Sequence, residues 1–145
     1  MLINKTNLVR LAIASALWSQ IAVADMVEVK AVGMKFEPTV VFIKPGDSVK
    51  FINGSIHDTA AIEGMIPDGA KPWKSAIGED ATITLDKEGA YVYKCIPHVG
   101  NGMLGAIVVG KVPPANLDAI KKSPENKGMV GRVVRQLEKE VEAHK

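Results

Sequence analysis

Cysteine is the scarcest chemistry in this 145-residue chain, which has one thiol, Cys95. A lone cysteine closes no internal disulfide, so it is buried, paired between chains or held by a metal. Histidine is nearly as rare, with three copies at positions 57, 98 and 144. That number leaves too few for an enzyme with two metal centres. Excess charge is also missing. A formal net charge of +2 falls to about zero once the first 24 residues, which hold Lys5 and Arg10 and no acid, are set aside. A nucleic-acid binder needs a basic excess, so that class is excluded. There is no internal repeat, low-complexity run or phosphate-cradling loop.

Only one stretch is apolar enough to concern a membrane. Leu11 to Ala24 follows a basic segment and ends in Ala22-Val23-Ala24. A basic start, a short apolar run and a small-x-small box define a secretory signal peptide. The run is too short to span a bilayer comfortably. We expect residues 1–24 to be removed after Ala24 and residues 25–145 to be exported to a bacterial periplasm, with no membrane span in the mature chain. The remaining 121 residues suffice for one domain and are too few for two.

The middle of the chain has the period of strands. Met26–Val32 alternates apolar and polar residues, as a half-buried strand does. Val40–Ile43, the Pro45-Gly46-Asp47 turn and Ser48–Asn53 read together as a hairpin whose far end delivers His57. Residues 58–77 have no period and are broken by glycine and proline, so an excursion along one edge is expected. Ala81–Leu85, Ala90–Cys95 and Leu104–Val109 are the remaining strands, and alternation puts Tyr91, Tyr93 and Cys95 on one face. Beyond Gly110 the pattern turns helical. We expect helices at about 114–122 and 125–143, the second begun by Ser123-Pro124 and carrying a stripe of Met129, Val133, Val134, Leu137 and Val141 that packs on the protein's own sheets. His144 is expected in a solvated tail.

The chemistry concentrates in Cys95-Ile96-Pro97-His98-Val99-Gly100-Asn101-Gly102-Met103. A thiolate, an imidazole and a thioether lie within nine residues, with His57 upstream as a fourth donor. Pro97 stiffens the turn between Cys95 and His98, while Gly100 and Gly102 let the chain curl back so that Met103 returns to the same point. Soft sulfur with imidazole suits copper, with two His and one Cys in a plane and a weak axial Met. We therefore expect one type 1 copper held by His57, Cys95, His98 and Met103.

Three stretches carry a family resemblance: Glu63–Ala70, the loop from Cys95 through Met103, and Pro114–Ile120. Together they resemble the pseudoazurin family of blue copper proteins, over nearly all of the chain after residue 24. The resemblance implies an all-β, cupredoxin-like Greek-key sandwich with two C-terminal α-helices. It also implies an electron carrier rather than an enzyme, passing single electrons to a copper nitrite reductase or a c-type cytochrome. In such a protein His98 is the electron port, ringed by Pro97, Val99, Gly100 and Met34. Lys74 and Lys94 match family positions on the docking rim, and Lys71 and Lys35 add to them.

Three features depart from that family. The connection before Met34-Lys35-Phe36-Glu37-Pro38 is shorter and closer to amicyanin. Asp58 stands where an asparagine usually ties the two ligand loops together, and Ile96 replaces a polar residue. Two other roles share the same ligands, a periplasmic copper delivery protein and an amicyanin-like electron acceptor of a dehydrogenase. A monomer is the simplest expectation for a diffusing shuttle.

Overall fold

The computed structural model describes residues 22–145. The expected signal peptide therefore lies almost wholly outside the described residues. Eight strands form two four-stranded sheets. The strands are β1 (Met26–Val32), β2 (Lys35–Glu37), β3 (Val40–Ile43), β4 (Ser48–Ile52), β5 (Ala60–Ala61), β6 (Ala81–Thr84), β7 (Gly89–Lys94) and β8 (Leu104–Val109). The first sheet has the order β2-β1-β4-β6 and the second β3-β8-β7-β5. Two helices follow, α1 (Leu117–Lys122) and α2 (Gly128–Ala143).

Sequence period explains which strand goes where. β1 alternates because one of its faces meets water, and Val29 on the other is fully buried. β8, Leu-Gly-Ala-Ile-Val-Val, has no polar residue because both its faces are covered. One face meets the first sheet in a core built from Phe36, Phe51, Tyr91, Tyr93, Ile107 and neighbours. The other meets the helices, where Val133, Val134, Leu137 and Val141 pack on Val92, Ala106 and Val108. The domain is thus three layers deep. Asn116 fastens the helical segment to β7, accepting from the Ala90 N–H at 2.7 Å and donating to the Ala90 carbonyl at 2.8 Å.

The structure corrects four expectations. Residues 40–53 are not a hairpin, because β3 pairs in parallel with β8 while β4 joins β1 and β6 in the other sheet. Pro45-Gly46-Asp47 is therefore a corner between sheets. The second helix starts at Gly128, with Lys127 rather than Ser123 as its cap. Ser123 instead ends α1, and a separate turn (Asn126 N–H to Ser123 carbonyl, 3.0 Å) intervenes before Gly128 restarts the chain at φ +54°. Met129 lies outside the buried stripe, 41% exposed. His144 is exposed but not free in solvent, since its ring stacks on Phe42 with centroids 3.6 Å apart.

Tyr93 lies opposite Gly105 across the β7–β8 ladder, its ring 5.0–5.1 Å from those of Phe36 and Phe51. A Cβ on Gly105 would collide with the Tyr93 hydroxyl and ring. Gly105→Ala should therefore cost about 1–3 kcal/mol of stability in urea unfolding. An unchanged midpoint would show that the Tyr93 ring can move aside.

Candidate metal centre

The cluster at one end of the sandwich is built by three pieces of backbone. Cys95 follows directly on β7, facing inward with Tyr91 and Tyr93, and is fully buried. Its N–H donates to the Met103 carbonyl at 3.0 Å, which extends the β7–β8 pairing by one rung. Between them a 3-10 turn, Ile96–Asn101, carries His98 back over Cys95, the His98 N–H donating to the Cys95 carbonyl at 3.2 Å. The turn ends at Gly102, whose φ of +82° lets its N–H reach the Val99 carbonyl. Met103 is fully buried in the same core cluster as Cys95.

His57 arrives from the loop after β4, and a network the sequence reading did not anticipate holds that loop. Asn53 accepts no solvent contact. Its N–H donates to the Asp80 carboxylate at 2.9 Å, and its amide donates to the Glu79 carbonyl at 2.8 Å and to Ser75 Oγ at 3.2 Å. Ser75 Oγ also accepts from the Thr59 N–H, and the His57 carbonyl accepts from the Gly78 N–H. Asn53-Gly54 reads as an ordinary turn, so the sequence gives no hint that this side chain is a brace. Asp58 supplies the second tie. It is 2% exposed and accepts from the Ile96 N–H at 2.7 Å, so the carboxylate joins the two ligand loops in place of the expected asparagine.

Three donor atoms converge as a result. Nδ1 of His57 and Nδ1 of His98 are 3.1 Å apart, and Cys95 Sγ lies 3.7 and 3.4 Å from them. A point equidistant from the three is about 2 Å from each, close to a metal–imidazole bond of about 2.0–2.1 Å. Burial pushes the Cys95 thiol up, opposed by backbone N–H bonds from Asp58 and His98. Burial and the neighbouring His98 both lower His57, against the pull of Asp58. A neutral imidazole is the form that binds a metal, and a cation held by His57, Cys95 and His98 would take the cysteine as thiolate. The donor set and its spacing fit a soft metal ion.

The family model for copper binding proteins of the plastocyanin/azurin family matches residues 23–110. The chain belongs to that family. Copper is accordingly its cofactor. It is 42% identical over 113 residues to a pseudoazurin of Methylorubrum extorquens, covering 73% of this chain and 76% of the relative. A pseudoazurin of Paracoccus pantotrophus is 43% identical over 89 residues, 61% of each chain. Among solved structures, the pseudoazurin of Methylobacterium extorquens AM1 superposes with a TM-score of 0.70 at 39% identity, over 79% of this chain and 98% of that one. The pseudoazurin of Hyphomicrobium denitrificans gives 0.62 at 33% identity, over 68% and 84%.

Around the cluster, Pro97 is exposed, His98 is half-buried, and Val99 turns partly inward against the helix-side core. Met34 is 42% exposed on the wall of a groove it shares with Asn101 and Gly102. Lys71 and Lys74 are exposed and Lys94 is half-buried. Ala60 is paired with Lys94 on one side and bridged to Lys74 on the other, so the two lysines flank β5 at the edge of the second sheet, with Lys94 directly before Cys95. Among the described residues none of the three lysines forms an ion pair.

Asp58→Asn keeps an oxygen for the Ile96 N–H and removes a negative charge beside the donor atoms. The reduction potential of the copper-loaded variant should rise by tens of millivolts or more, since the charge stabilises the more positive oxidised state. Redox titration measures it. An equal potential in the two proteins would mean that Asp58 carries no charge at the site.

Proposed function

We propose that this chain is a single-electron carrier exported to a bacterial periplasm, with copper held by His57, Cys95 and His98 and weakly by Met103. The convergence of two imidazole nitrogens and one thiol sulfur on a stiff sandwich is the observation that carries the reading. Bound copper supplies a one-electron couple. The chain supplies a site that hardly rearranges. Cys95 and Met103 are fixed by the β7–β8 ladder, and His57 by the Asn53 and Asp58 ties. Rigid ligands keep the cost of changing oxidation state small. The sulfur is shut away from water, and His98, half-buried where His57, Cys95 and Met103 are buried, gives the electron a way out.

The partner class follows from the surface. We assign docking to Pro97, His98 and the part of Val99 left exposed, with Lys71, Lys74 and Lys94 steering an acidic redox protein such as a copper nitrite reductase or a c-type cytochrome. Such charges accelerate encounter more than they tighten the complex. Membership of the copper family and the pseudoazurin relatives support the carrier role.

The copper-loaded protein should show an intense thiolate-to-copper band in the visible, bleached by ascorbate and restored by oxidant without loss of metal, and absent in Cys95→Ser. A protein that sheds copper on reduction would be a delivery protein instead. Replacing Lys71, Lys74 and Lys94 together by Gln should lower the stopped-flow association rate with an acidic redox partner at low salt about 10-fold or more, with the difference shrinking as salt is added. Equal rates at low salt would remove the lysines from the interface.

A further inference from the structure

The corner between the sheets holds a carboxylate that the metal centre does not use. Asp47 is 5% exposed. One of its oxygens, Oδ2, accepts from the Lys44 N–H at 2.8 Å and closes its own turn. The other, Oδ1, accepts from the backbone nitrogen of Asp25 at 2.8 Å, across 22 residues of sequence. These two bonds, from Asp25 and from Lys44, hold the Asp47 carboxyl below its ordinary range. Asp25 is also where the first sheet begins, since its carbonyl accepts from the Ser48 N–H at 2.9 Å, and Met26 then pairs with Ser48. Ala22, Val23 and Ala24 are exposed and lie outside any strand or helix, Val23 at 80%.

The small-x-small box of the sequence and the carboxylate of the fold point at the same bond from opposite sides. We infer that Asp47 is a built-in binding site for the chain's own processed amino terminus, the ammonium of Asp25. The inference rests on the reading that the chain is cut after Ala24. Cleavage adds water across the Ala24–Asp25 amide, leaving a carboxylate on Ala24 and an ammonium on Asp25. One neutral N–H donor becomes a cation with three, facing a nearly buried anion. Charge-assisted bonds are shorter and roughly twice as strong as neutral ones. Lys44 is the other cation at the corner, and its Nζ lies 3.8 Å from the Asp25 side chain rather than on Asp47. Processing therefore tightens the hold of the corner on the first strand, and a chain that keeps residues before 25 has only the neutral N–H bond there.

The test uses copper-loaded protein recovered from the periplasm in four forms. Gly-Ser is or is not inserted between Ala24 and Asp25, so that Asp25 enters either as an amide or as a free terminus, and Asp47 is kept or replaced as Asp47→Asn. Mass spectrometry identifies the first residue, and thermal unfolding gives Tm. With Asp47 present, the insertion should lower Tm by about 3–6 °C. In Asp47→Asn it should change Tm little. An insertion that costs nothing with Asp47 present, or costs the same in both backgrounds, would overturn the capture. Should the first residue not be Asp25, the cleavage reading falls. The capture is then decided on chain cut immediately before Asp25 by a site-specific protease, with the same Tm comparison.

Discussion

One backbone hydrogen bond, from the Cys95 N–H to the Met103 carbonyl, closes the loop that carries Cys95 and His98 into the metal centre. It is the last rung of the β7–β8 ladder, and it fixes the two ends of the ligand loop at strand spacing. The ladder is long and two-sided, with β7 and β8 packed against the other sheet on one face and against helices on the other. Each added rung is therefore held by a buried surface. With the ends fixed, the short 3-10 turn has little freedom, and His98 is returned over the sulfur from which it departed three residues earlier. Only His57 must be brought from elsewhere, which explains why the fold spends Asn53, Ser75, Asp80 and Asp58 on a single loop.

The same burial that protects the site makes it awkward without an ion. Water is denied to the sulfur, so the thiol keeps its proton, and the imidazole of His57 is discouraged from taking one. Two ring nitrogens and a sulfur are nonetheless held within 3.7 Å of one another. Preorganisation of this kind costs folding energy and is repaid when the cation enters. It also limits how far the ligands can drift between oxidation states, which is what fast electron exchange demands.

Much of this was legible in the residues because it rests on local rules. The alternation in Ala90–Cys95 put Tyr91, Tyr93 and Cys95 on one face, and all three are in the inter-sheet core. The unbroken apolar run of β8 required cover on both sides, and the stripe of Val133, Val134, Leu137 and Val141 supplies it. What stayed hidden depends on distant partners. Pro45-Gly46-Asp47 has the chemistry of a hairpin turn, and nothing local distinguishes a hairpin from a corner between sheets. Ser123-Pro124 has the chemistry of a helix start, yet Asn126 and Gly128 delay it. Asn53 and Asp58 look like loop residues until the segments they brace are seen beside them. His144 found Phe42 only because α2 lies along β3.

The arrangement of strands bears on how the protein behaves in a crowded compartment. The four edge positions are taken by β2, β3, β5 and β6, of three, four, two and four residues. The long strands β1, β7 and β8 are all interior. An exposed edge is a template on which another chain can add itself, and its danger grows with its length. Among the described residues every edge is four residues long or shorter, which leaves little length for such pairing. The fold can thus leave Met34 and Ile96 exposed near its metal loop without also presenting a long strand edge beside them.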